Sequence, residues 1–220
     1  MHRTPFRLAL SAAVLLTLGL LVSPCRAEEN KAEEGFTPLF NGKDLTGWKT
    51  FLKDDKADPT KTWTVKDGVI HCAGQPFGYF YSDKPYKNYV IRYDWRYPAE
   101  QPEKTTLNSG LLFHIQGEHK VWPKCMEAQG AYANHGKLYF VSGAKKVEDK
   151  YDMDAYKKAV KPKEQWQTTE VTARADGSIV VKVNGVEVSS GKSDLTEGVI
   201  GFQSEGAAIE FKNIRLKELK

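Results

Sequence analysis

Motifs that carry several common enzyme chemistries are missing from this chain of 220 residues. It has no glycine-rich phosphate-binding loop, no Gly-x-Ser-x-Gly nucleophile elbow and no paired-cysteine zinc spacing. It also lacks internal repeats and low-complexity segments. Nucleotide chemistry and serine hydrolysis therefore lose support as functions.

A continuous basic stripe is missing too, although the formal net charge is +4. Lysine and arginine are interleaved with aspartate and glutamate along the chain, and several positive charges lie among the first residues. Proteins that bind nucleic acid concentrate basic residues on one face. We therefore interpret the charge as favouring solubility and expect no nucleic-acid partner.

The chain lacks an apolar run long enough to span a membrane, which requires roughly 18 to 20 residues. Residues 8–22 form a shorter run, which follows the basic Arg3 and Arg7 and precedes small residues ending at Ala27. This order is typical of a secretory signal peptide. We predict a signal peptide over residues 1–27 and export to the periplasm or the extracellular space, without a transmembrane anchor.

Cys25 suggests an alternative, since a cysteine after a hydrophobic run can carry a lipid anchor. Pro24 precedes it where a small residue is preferred, so we do not expect lipidation. Residues 28–34 are charged and have little apolar surface to bury, which predicts a disordered linker. Residues 35–220 are long enough for one domain with a substantial core.

Cysteines are scarce, and only Cys72 and Cys125 follow the predicted signal peptide. An exported chain with two thiols permits one disulfide. Packing of two free thiols as small apolar groups is the alternative, and spacing alone does not show whether the side chains meet. We favour free thiols and keep the disulfide open.

Short runs of β-branched and aromatic residues, separated by turn dipeptides, dominate the chain from Gly35 onward. Asp67–Gly68 and Asn184–Gly185 are dipeptides that favour tight hairpins. Between such turns, residues 170–188 show the period-two alternation of half-buried strands and predict a three-stranded meander. About ten or more such strands in one domain predict an all-β fold of two packed antiparallel sheets.

Residues 147–165 break this pattern, because they are charged and do not alternate. Pro162 disfavours helical continuation through the residue before it. We predict a surface loop with one helical turn here, and such a loop can border a site.

Polar residues on two consecutive predicted strands form a candidate site. Apolar residues alternate along the first strand, which places His114 on its more polar face. On the second strand Glu127 and Gln129 project together. A carboxylate beside an imidazole can shift proton affinities enough for acid–base chemistry near neutral pH. If the strands lie close together, these side chains line one surface.

Two other interpretations of these residues stay open. The same side chains fit a solvated sheet face without chemistry. A divalent metal could also be held by His114, Glu127 and His119, but no spacing here is diagnostic of a metal site. We predict no cofactor and leave a divalent metal open.

Aromatic side chains provide platforms on which sugars stack, although most aromatic residues of a β-sandwich belong to its core. Trp122 and Tyr132 flank the strand that carries Glu127. We therefore predict these two for a substrate-binding surface.

Four segments are specific when they occur together in this order. They read FNGKDLTGW, NSGLLFHIQG, WPKCMEAQG and GFQSEGAAIEFKNIRL. They resemble the 3-keto-disaccharide hydrolase family, and the similarity extends from Gly35 to Leu219. The resemblance implies a concanavalin A-like jelly-roll β-sandwich in an exported bacterial protein that acts on carbohydrate. It also implies cleavage of glycosides whose sugar has first been oxidised at carbon 3.

The resemblance implies roles for individual residues. Glu127 lies in the Glu-x-Gln motif of the family and would be the catalytic base or acid, while Gln129 would orient the sugar or an enolate oxygen. His114 would stabilise the developing oxyanion. Asn108, from the Asn-Ser-Gly element, would either support the fold or contact substrate. A non-catalytic carbohydrate-binding module is the alternative function, because one fold serves both purposes.

Overall fold

The computed structural model describes residues 35–101 and 105–220. The predicted signal peptide at residues 1–27, which includes Cys25, and the predicted linker at residues 28–34 lie outside the described residues. Within the described part of the chain, no helix is long and apolar enough to cross a membrane.

The described residues form sixteen strands and two short helices. In chain order the strands are β1 (Thr37–Pro38), β2 (Trp48–Leu52), β3 (Trp63–Lys66), β4 (Val69–Cys72), β5 (Gly78–Ser82), β6 (Tyr86–Lys87), β7 (Tyr89–Arg96), β8 (Gly110–Gln116), β9 (Lys124–Gln129), β10 (Leu138–Val141), β11 (Lys146–Tyr151), β12 (Gln167–Ala173), β13 (Ser178–Val183), β14 (Val186–Ser193), β15 (Glu197–Ser204) and β16 (Ile209–Glu218). The helices are α1 (Pro59–Thr62) and α2 (Met153–Ala159).

These strands form two sheets, and each pair of neighbouring strands is antiparallel. The nine-stranded sheet has the order β11-β14-β13-β12-β7-β16-β4-β3, with β1 beside β16. The seven-stranded sheet has the order β10-β9-β8-β15-β5-β2, with β6 beside β15. The predicted all-β fold of two antiparallel sheets is confirmed.

Tight turns lie where the sequence predicts them. Asp67 and Gly68 join β3 to β4 with φ of 51° and 77°, and Asn184 and Gly185 join β13 to β14 with φ of 48° and 86°. Two-residue hairpin loops of this kind need positive φ at both positions, which Asn, Asp and Gly tolerate best. The predicted meander of β12, β13 and β14 is confirmed by its register.

Inward-facing side chains of both sheets fill the space between them. Along β7, buried Tyr93 and Trp95 alternate with half-buried Asp94. The ring of Tyr93 meets that of Phe202 from the seven-stranded sheet edge-on, with centroids 5.0 Å apart. Burying a large apolar side chain stabilises a fold by about 1.5–3 kcal/mol. The core therefore determines which side of each strand faces outward.

The segment at residues 147–165 is more ordered than the predicted loop. β11 pairs with β14 at the edge of the nine-stranded sheet. Asp152 then caps α2 by accepting a hydrogen bond from the Ala155 N–H at 2.8 Å. β11 was missed because its side chains are almost all exposed, so no apolar alternation marks it. The helix ends before Pro162, as expected.

Cys72 and Cys125 are buried and free. Cys72 belongs to the core between the sheets, whereas Cys125 belongs to a smaller apolar cluster on the outer side of the seven-stranded sheet. The thiols therefore lie on opposite sides of that sheet, and the free-thiol alternative is the one that the structure shows. Burial raises the pKa of the Cys72 thiol to about 11.

Candidate active site

Glu127 lies on the outer face of the seven-stranded sheet. β8 pairs with β9 so that Leu112 is opposite Glu127 and Gly110 is opposite Gln129. On the next strand, β15, Gly201 is opposite Leu112. Residues directly opposite each other on antiparallel strands project to the same face. Two adjacent rows of residues therefore cross the strands on this face. One row contains Gln129 and Gly110, and the other contains Glu127, Leu112 and Gly201.

The missing side chain of Gly110 leaves space that two polar groups fill. A Cβ at this position would lie 2.2 Å from Gln203 Oε1 and 2.6 Å from Glu127 Oε1. Within the described part of the chain, Gln203 Oε1 is buried and has no hydrogen-bond donor. A protonated Glu127 carboxyl can supply that donor, since a carboxylic acid donates a hydrogen bond whereas a carboxylate only accepts.

The Glu127 carboxyl is mostly buried, and the residue keeps 7% of its surface exposed. Burial and, secondly, the negative charge of Glu205 raise the pKa of the Glu127 carboxyl to about 8. The neutral acid is therefore its main form at pH 7. A carboxyl with a pKa near the working pH is suited to general acid–base catalysis, because it can both give and take a proton.

Glu205 follows the last residue of β15 and lies two residues beyond Gln203. Its Oε1 accepts a hydrogen bond from Trp122 Nε1 at 3.2 Å. Burial raises the pKa of Glu205, and the hydrogen bond from Trp122 opposes that rise. Among residues 35–101 and 105–220, neither Glu205 nor Glu127 forms a salt bridge. Two carboxyl groups therefore interact here without a cation.

Residues 117–123, which connect β8 to β9, fold over this outer face and are called the flap. The His119 ring stacks on Tyr81 of β5, with centroids 4.2 Å apart. Its Nδ1 also shares a hydrogen bond of 2.8 Å with the Tyr79 hydroxyl. Trp122, near the end of the flap, is 52% exposed and reaches Glu205. The flap thus covers apolar residues of this face and borders the carboxyl groups.

Gln129 and Asn108 lie at the same end of the sheet as the carboxyl groups. Gln129 Oε1 accepts from the Ala131 N–H at 2.9 Å, which leaves its amide nitrogen to donate. Asn108 lies two residues before Gly110, and its buried Oδ1 has no partner among the described residues. Both side chains therefore have hydrogen-bonding capacity for a ligand.

His114 lies on the opposite side of the sheet from Glu127, so the predicted shared face is wrong. A β-bulge in β8 shifts the register, and His114 adopts a positive φ of 53°. Its ring meets Tyr89 of the nine-stranded sheet at 5.7 Å, and its Nδ1 donates to the Leu195 carbonyl at 2.9 Å. Burial lowers the pKa of His114 to about 4. The structure therefore removes His114 from the oxyanion role.

Tyr132 is held in packing contacts, unlike Trp122. Its hydroxyl donates to the Lys161 carbonyl at 2.8 Å, and its own carbonyl accepts from the hydroxyl of Tyr156 in α2. These contacts tie the segment after β9 to α2 and to the chain that follows it. The structure thus shows a structural role for Tyr132, and its substrate-binding role stays a prediction.

A buried network anchors the chain just after β9. The Gly130 carbonyl accepts from the Tyr97 hydroxyl at 2.9 Å and from His135 Nδ1 at 3.3 Å. His135 stacks on Trp95 with ring centroids 3.9 Å apart, and its Nε2 accepts from the Thr169 hydroxyl at 2.7 Å. Burial lowers the pKa of His135 to about 3, so the ring is neutral. This network fixes the strand that carries the candidate site.

The metal interpretation of His114, Glu127 and His119 requires all three side chains on one side of the sheet. The structure separates His114 from the other two. Within the ranges that the structure describes, no group of three or more His, Cys, Asp or Glu side chains is placed to hold a metal ion.

Residues 35–217 match the family model of the 3-keto-alpha-glucoside-1,2-lyase-like domain. The chain belongs to this family. The resemblance in its sequence segments is thereby confirmed. A search of curated proteins finds no match to this lyase-like chain.

Three solved structures share the fold of the lyase-like domain. A proposed glycosyl hydrolase from Parabacteroides distasonis ATCC 8503 is 26% identical, with 84% of this chain and 95% of that chain covered and a TM-score of 0.59. A second one from the same organism is 21% identical, with 84% of this chain and 99% of that chain covered and a TM-score of 0.61. The carbohydrate-binding module CBM66 from Bacillus subtilis is 12% identical, with 78% of this chain and 96% of that chain covered and a TM-score of 0.54.

Sequence reasoning missed Gln203 and Glu205 on this face, and it named His119 only as one of three alternative metal ligands. Gln203 and Glu205 alternate with core residues in the segment GFQSEG, so strand parity could have assigned them to one face. No local pattern indicates that His119 folds back onto Tyr79, because this contact joins a loop to a strand far away in the sequence.

Proposed function

We propose that this lyase-like domain cleaves 3-keto-glycosides with Glu127 as an acid–base residue. One observation carries the proposal: the buried Glu127 carboxyl, with a pKa raised to about 8, faces the unpartnered Gln203 Oε1 in the space above Gly110. Membership of the family and the 26% identical structure of a proposed glycosyl hydrolase support a glycoside as substrate. Carbohydrate is therefore the proposed ligand.

A ketone at carbon 3 makes this chemistry accessible to carboxyl groups. The ketone acidifies the proton on carbon 2, so a base can remove it and the aglycone can leave from carbon 1. Water then adds to the unsaturated sugar and completes the hydrolysis. Positioned acid–base groups typically accelerate such proton transfers by about 10²–10⁴-fold. An ordinary glycosidase instead needs two carboxyl groups flanking the glycosidic bond at a set separation.

The remaining polar groups on this face supply the proposed substrate contacts. The Gln129 amide nitrogen would donate to the ketone oxygen, where negative charge develops as the enolate forms. Asn108 Oδ1 would accept from a sugar hydroxyl, which would satisfy an atom that the protein leaves unpartnered. The exposed Trp122 ring would stack on a sugar face.

The proposed reaction takes place outside the cytoplasm, in the periplasm or the extracellular space. The support is the predicted signal peptide at residues 1–27. Mass spectrometry of the protein recovered from its native host should find an amino terminus at Glu28. A terminus at Met1 would refute export by this route.

The direct test is release of the aglycone from 3-keto-glucosides by the purified protein. We expect turnover by the wild type and a rate about 10²–10⁴-fold lower for Glu127→Ala. Glu187→Ala is the matched control, because Glu187 is an exposed glutamate of β14 in the other sheet. The proposal fails if the wild type releases no aglycone or if Glu127→Ala releases it at the wild-type rate.

A carbohydrate-binding module without catalysis is the second candidate function. Trp122 and Tyr139 are 52% and 37% exposed, and Tyr139 is directly opposite Glu127 on β10. Exposed aromatic rings beside polar groups are suited to sugar binding. This function predicts sugar affinity that survives Glu127→Ala, falls with Trp122→Ala and is accompanied by no turnover. Calorimetric titration of both variants, run beside the release assay, separates the two functions.

A further inference from the structure

We infer that Glu205 is a second catalytic carboxylate, which removes the proton from carbon 2 while Glu127 protonates the departing glycosidic oxygen. The inference rests on the proposed function and divides its acid and base roles between two residues.

The geometry brings the two carboxyl groups to the same end of the outer face, Glu127 from β9 and Glu205 from the chain just after β15. The side chains of Glu127 on β9 and Gln203 on β15 meet above Gly110. This glycine is on β8, between the two strands, and its missing side chain leaves the space that they fill. Glu205 lies two residues beyond Gln203, and Trp122 Nε1 holds its carboxylate at 3.2 Å. Each carboxyl group therefore has a neighbour of a different kind. Glu127 faces an acceptor, whereas Glu205 faces a donor.

Gln203 indicates which of the two carboxyl groups carries a proton. It is 2% exposed, and its Oε1 has no donor in the part of the chain that the structure describes. A buried acceptor without a donor is unfavourable, and a proton on Glu127 removes that cost by forming a hydrogen bond. The Glu205 carboxylate instead receives a donor, the Trp122 indole N–H, at 3.2 Å. The neighbours thus favour a neutral Glu127 and an ionised Glu205.

Among the titratable groups of this face, Cys125, Tyr79 and His119 supply no positive charge, whereas Lys137 Nζ lies 5.5 Å from the ring centroid of Tyr139, the residue opposite Glu127. Burial raises the pKa of the Cys125 thiol and of the Tyr79 hydroxyl, so both stay neutral. Burial also lowers the pKa of His119, which favours its neutral ring. Two nearby carboxyl groups without a cation hold one proton between them over a wide pH range, as in other carboxyl pairs with split pKa values.

The proposed proton transfers balance over one catalytic cycle. The Glu205 carboxylate takes the proton from carbon 2, and the electron pair of that bond forms the enolate of the ketone. The enolate collapses to a double bond between carbons 1 and 2, the bond from carbon 1 to the glycosidic oxygen breaks, and Glu127 gives that oxygen its proton. Water then adds to carbon 1, the Glu127 carboxylate takes a proton from it, and Glu205 returns a proton to carbon 2.

The two roles can be separated with substrates that need only one of them. A 3-keto analogue without an aglycone, 1,5-anhydro-3-keto-glucitol, needs only the base, and exchange of its carbon 2 hydrogen for deuterium is followed by NMR in heavy water. Methyl 3-keto-glucoside needs base and acid. The 4-nitrophenyl 3-keto-glucoside has a good leaving group, so it needs the acid much less.

We expect Glu205→Gln to reduce exchange and release from both glucosides by about 100-fold or more. Glu127→Gln should keep exchange within about 10-fold of wild type, while release from the methyl glucoside falls by about 100-fold and from the nitrophenyl glucoside far less. Glu187→Gln is the matched control, because it makes the same change at an exposed glutamate of the other sheet. Wild-type exchange by Glu205→Gln, or loss of exchange by Glu127→Gln, overturns the division of roles.

A readout that needs no turnover tests the pair itself. NMR titration of the Glu127 carboxyl carbon should give an apparent pKa near the value of about 8 in the wild type and a lower one in Glu205→Gln. An ordinary pKa in the wild type, or no change in the variant, overturns the pair even if aglycone is released. If the titrations are coupled but the wild type neither exchanges nor releases, the proposed function and its proton-transfer roles fail while the shared proton stands.

Discussion

The outer faces of the two sheets surround their carboxyl groups differently. On the nine-stranded sheet, Glu210 accepts from Arg96 Nε at 2.5 Å and lies 3.0 Å from His71 Nδ1. On the seven-stranded sheet, Glu127 and Glu205 have no salt-bridge partner among residues 35–101 and 105–220. The same residue type is therefore a structural ion-pair member on one face and a perturbed acid on the other.

Directly opposite residues on neighbouring strands account for this difference. Glu210 on β16 is opposite Arg96 on β7 and His71 on β4, so both neighbours can share its charge. Glu127 on β9 is opposite Leu112 on β8 and Tyr139 on β10, and neither provides a cation. The pKa of a buried glutamate in a strand is thus raised toward neutral pH when the neighbouring strands provide no positive charge to stabilise its ionised form, and such a group is suited to acid–base chemistry.

The largest expected effect is a gain of stability when Glu127 is replaced by glutamine. The folded protein keeps the Glu127 proton up to a pH of about 8, whereas the unfolded chain releases it near about pH 4.3. The free energy of unfolding therefore falls as the pH rises between these values. Glutamine stays neutral and can donate to Gln203. Glu127→Gln should therefore gain about 4–5 kcal/mol at pH 8, measured by urea unfolding.

The pH dependence of that gain is its internal control. At pH 4 both the folded and the unfolded forms hold the proton for most of the time, so the gain of Glu127→Gln should nearly vanish. A variant that is less stable than wild type at pH 8, or equally stabilised at both pH values, would show that the Glu127 carboxyl is ionised and well solvated in the folded protein.

The next effect has the opposite sign and lies on the nine-stranded sheet. Glu210→Gln removes the carboxylate that Arg96 and His71 share. We expect a loss of about 1 kcal/mol at pH 7, less than for a fully buried pair because Arg96 is partly exposed to solvent. Urea unfolding of Glu210→Gln and Glu127→Gln under the same conditions measures the loss of stability in the first variant and the gain in the second. A stabilised Glu210→Gln would mean that the faces do not differ in this respect.

Trp166 provides a smaller test on the same sheet. Arg96 and Lys212 lie over its ring, with the Arg96 Cζ atom 4.5 Å and the Lys212 Nζ atom 4.3 Å from the ring centroid. Cation–π contacts at partly exposed sites contribute about 0.5–1 kcal/mol each. Replacing Trp166 by Leu, which keeps apolar contact but no aromatic face, should lower the unfolding free energy by about 1 kcal/mol. Unchanged stability would assign these contacts to simple packing.

The smallest effect is the response to salt. Surface ion pairs weaken as the Debye length falls from about 10 Å at 0.1 M salt to about 3 Å at 1 M. The deficit of Glu210→Gln should shrink by a few tenths of a kcal/mol over this range, whereas the gain of Glu127→Gln should stay nearly constant because burial is its main cause. Equal salt responses of the two variants would contradict the distinction between the faces.

Strand parity predicted part of the site from the sequence. It grouped Glu127 with Gln129 and separated both from the core residues Met126 and Ala128, as the structure shows. Parity failed at His114, because a β-bulge adds a residue to the alternation and turns the side chains that follow. Histidine at positive φ carries no sequence signal comparable to the Asn-Gly and Asp-Gly turns, so this failure was not foreseeable from one chain.

Contacts between segments far apart in the sequence are not encoded in any local pattern. The fold class follows from local alternation and turn chemistry, which a single sequence displays. The proximity of Glu127 to Gln203, and of Trp122 to Glu205, depends instead on β15 lying beside β8. Such pairing of strands far apart in sequence is decided by the packing of the whole domain. Tyr132 illustrates the same point, because its neighbours come from α2 and the chain after it.

The flap belongs to a hairpin connection, so its amino acids can be exchanged without altering the order of strands in either sheet. Lengthening a flexible connection is inexpensive, since each doubling of its length costs about 0.6 kcal/mol. Residues 117–123 nevertheless place both an imidazole and an indole against the outer face. Replacing this one segment would therefore exchange the groups that border the two carboxyl groups, and a chimera that carries a foreign segment would alter the proposed ligand preference independently of the scaffold.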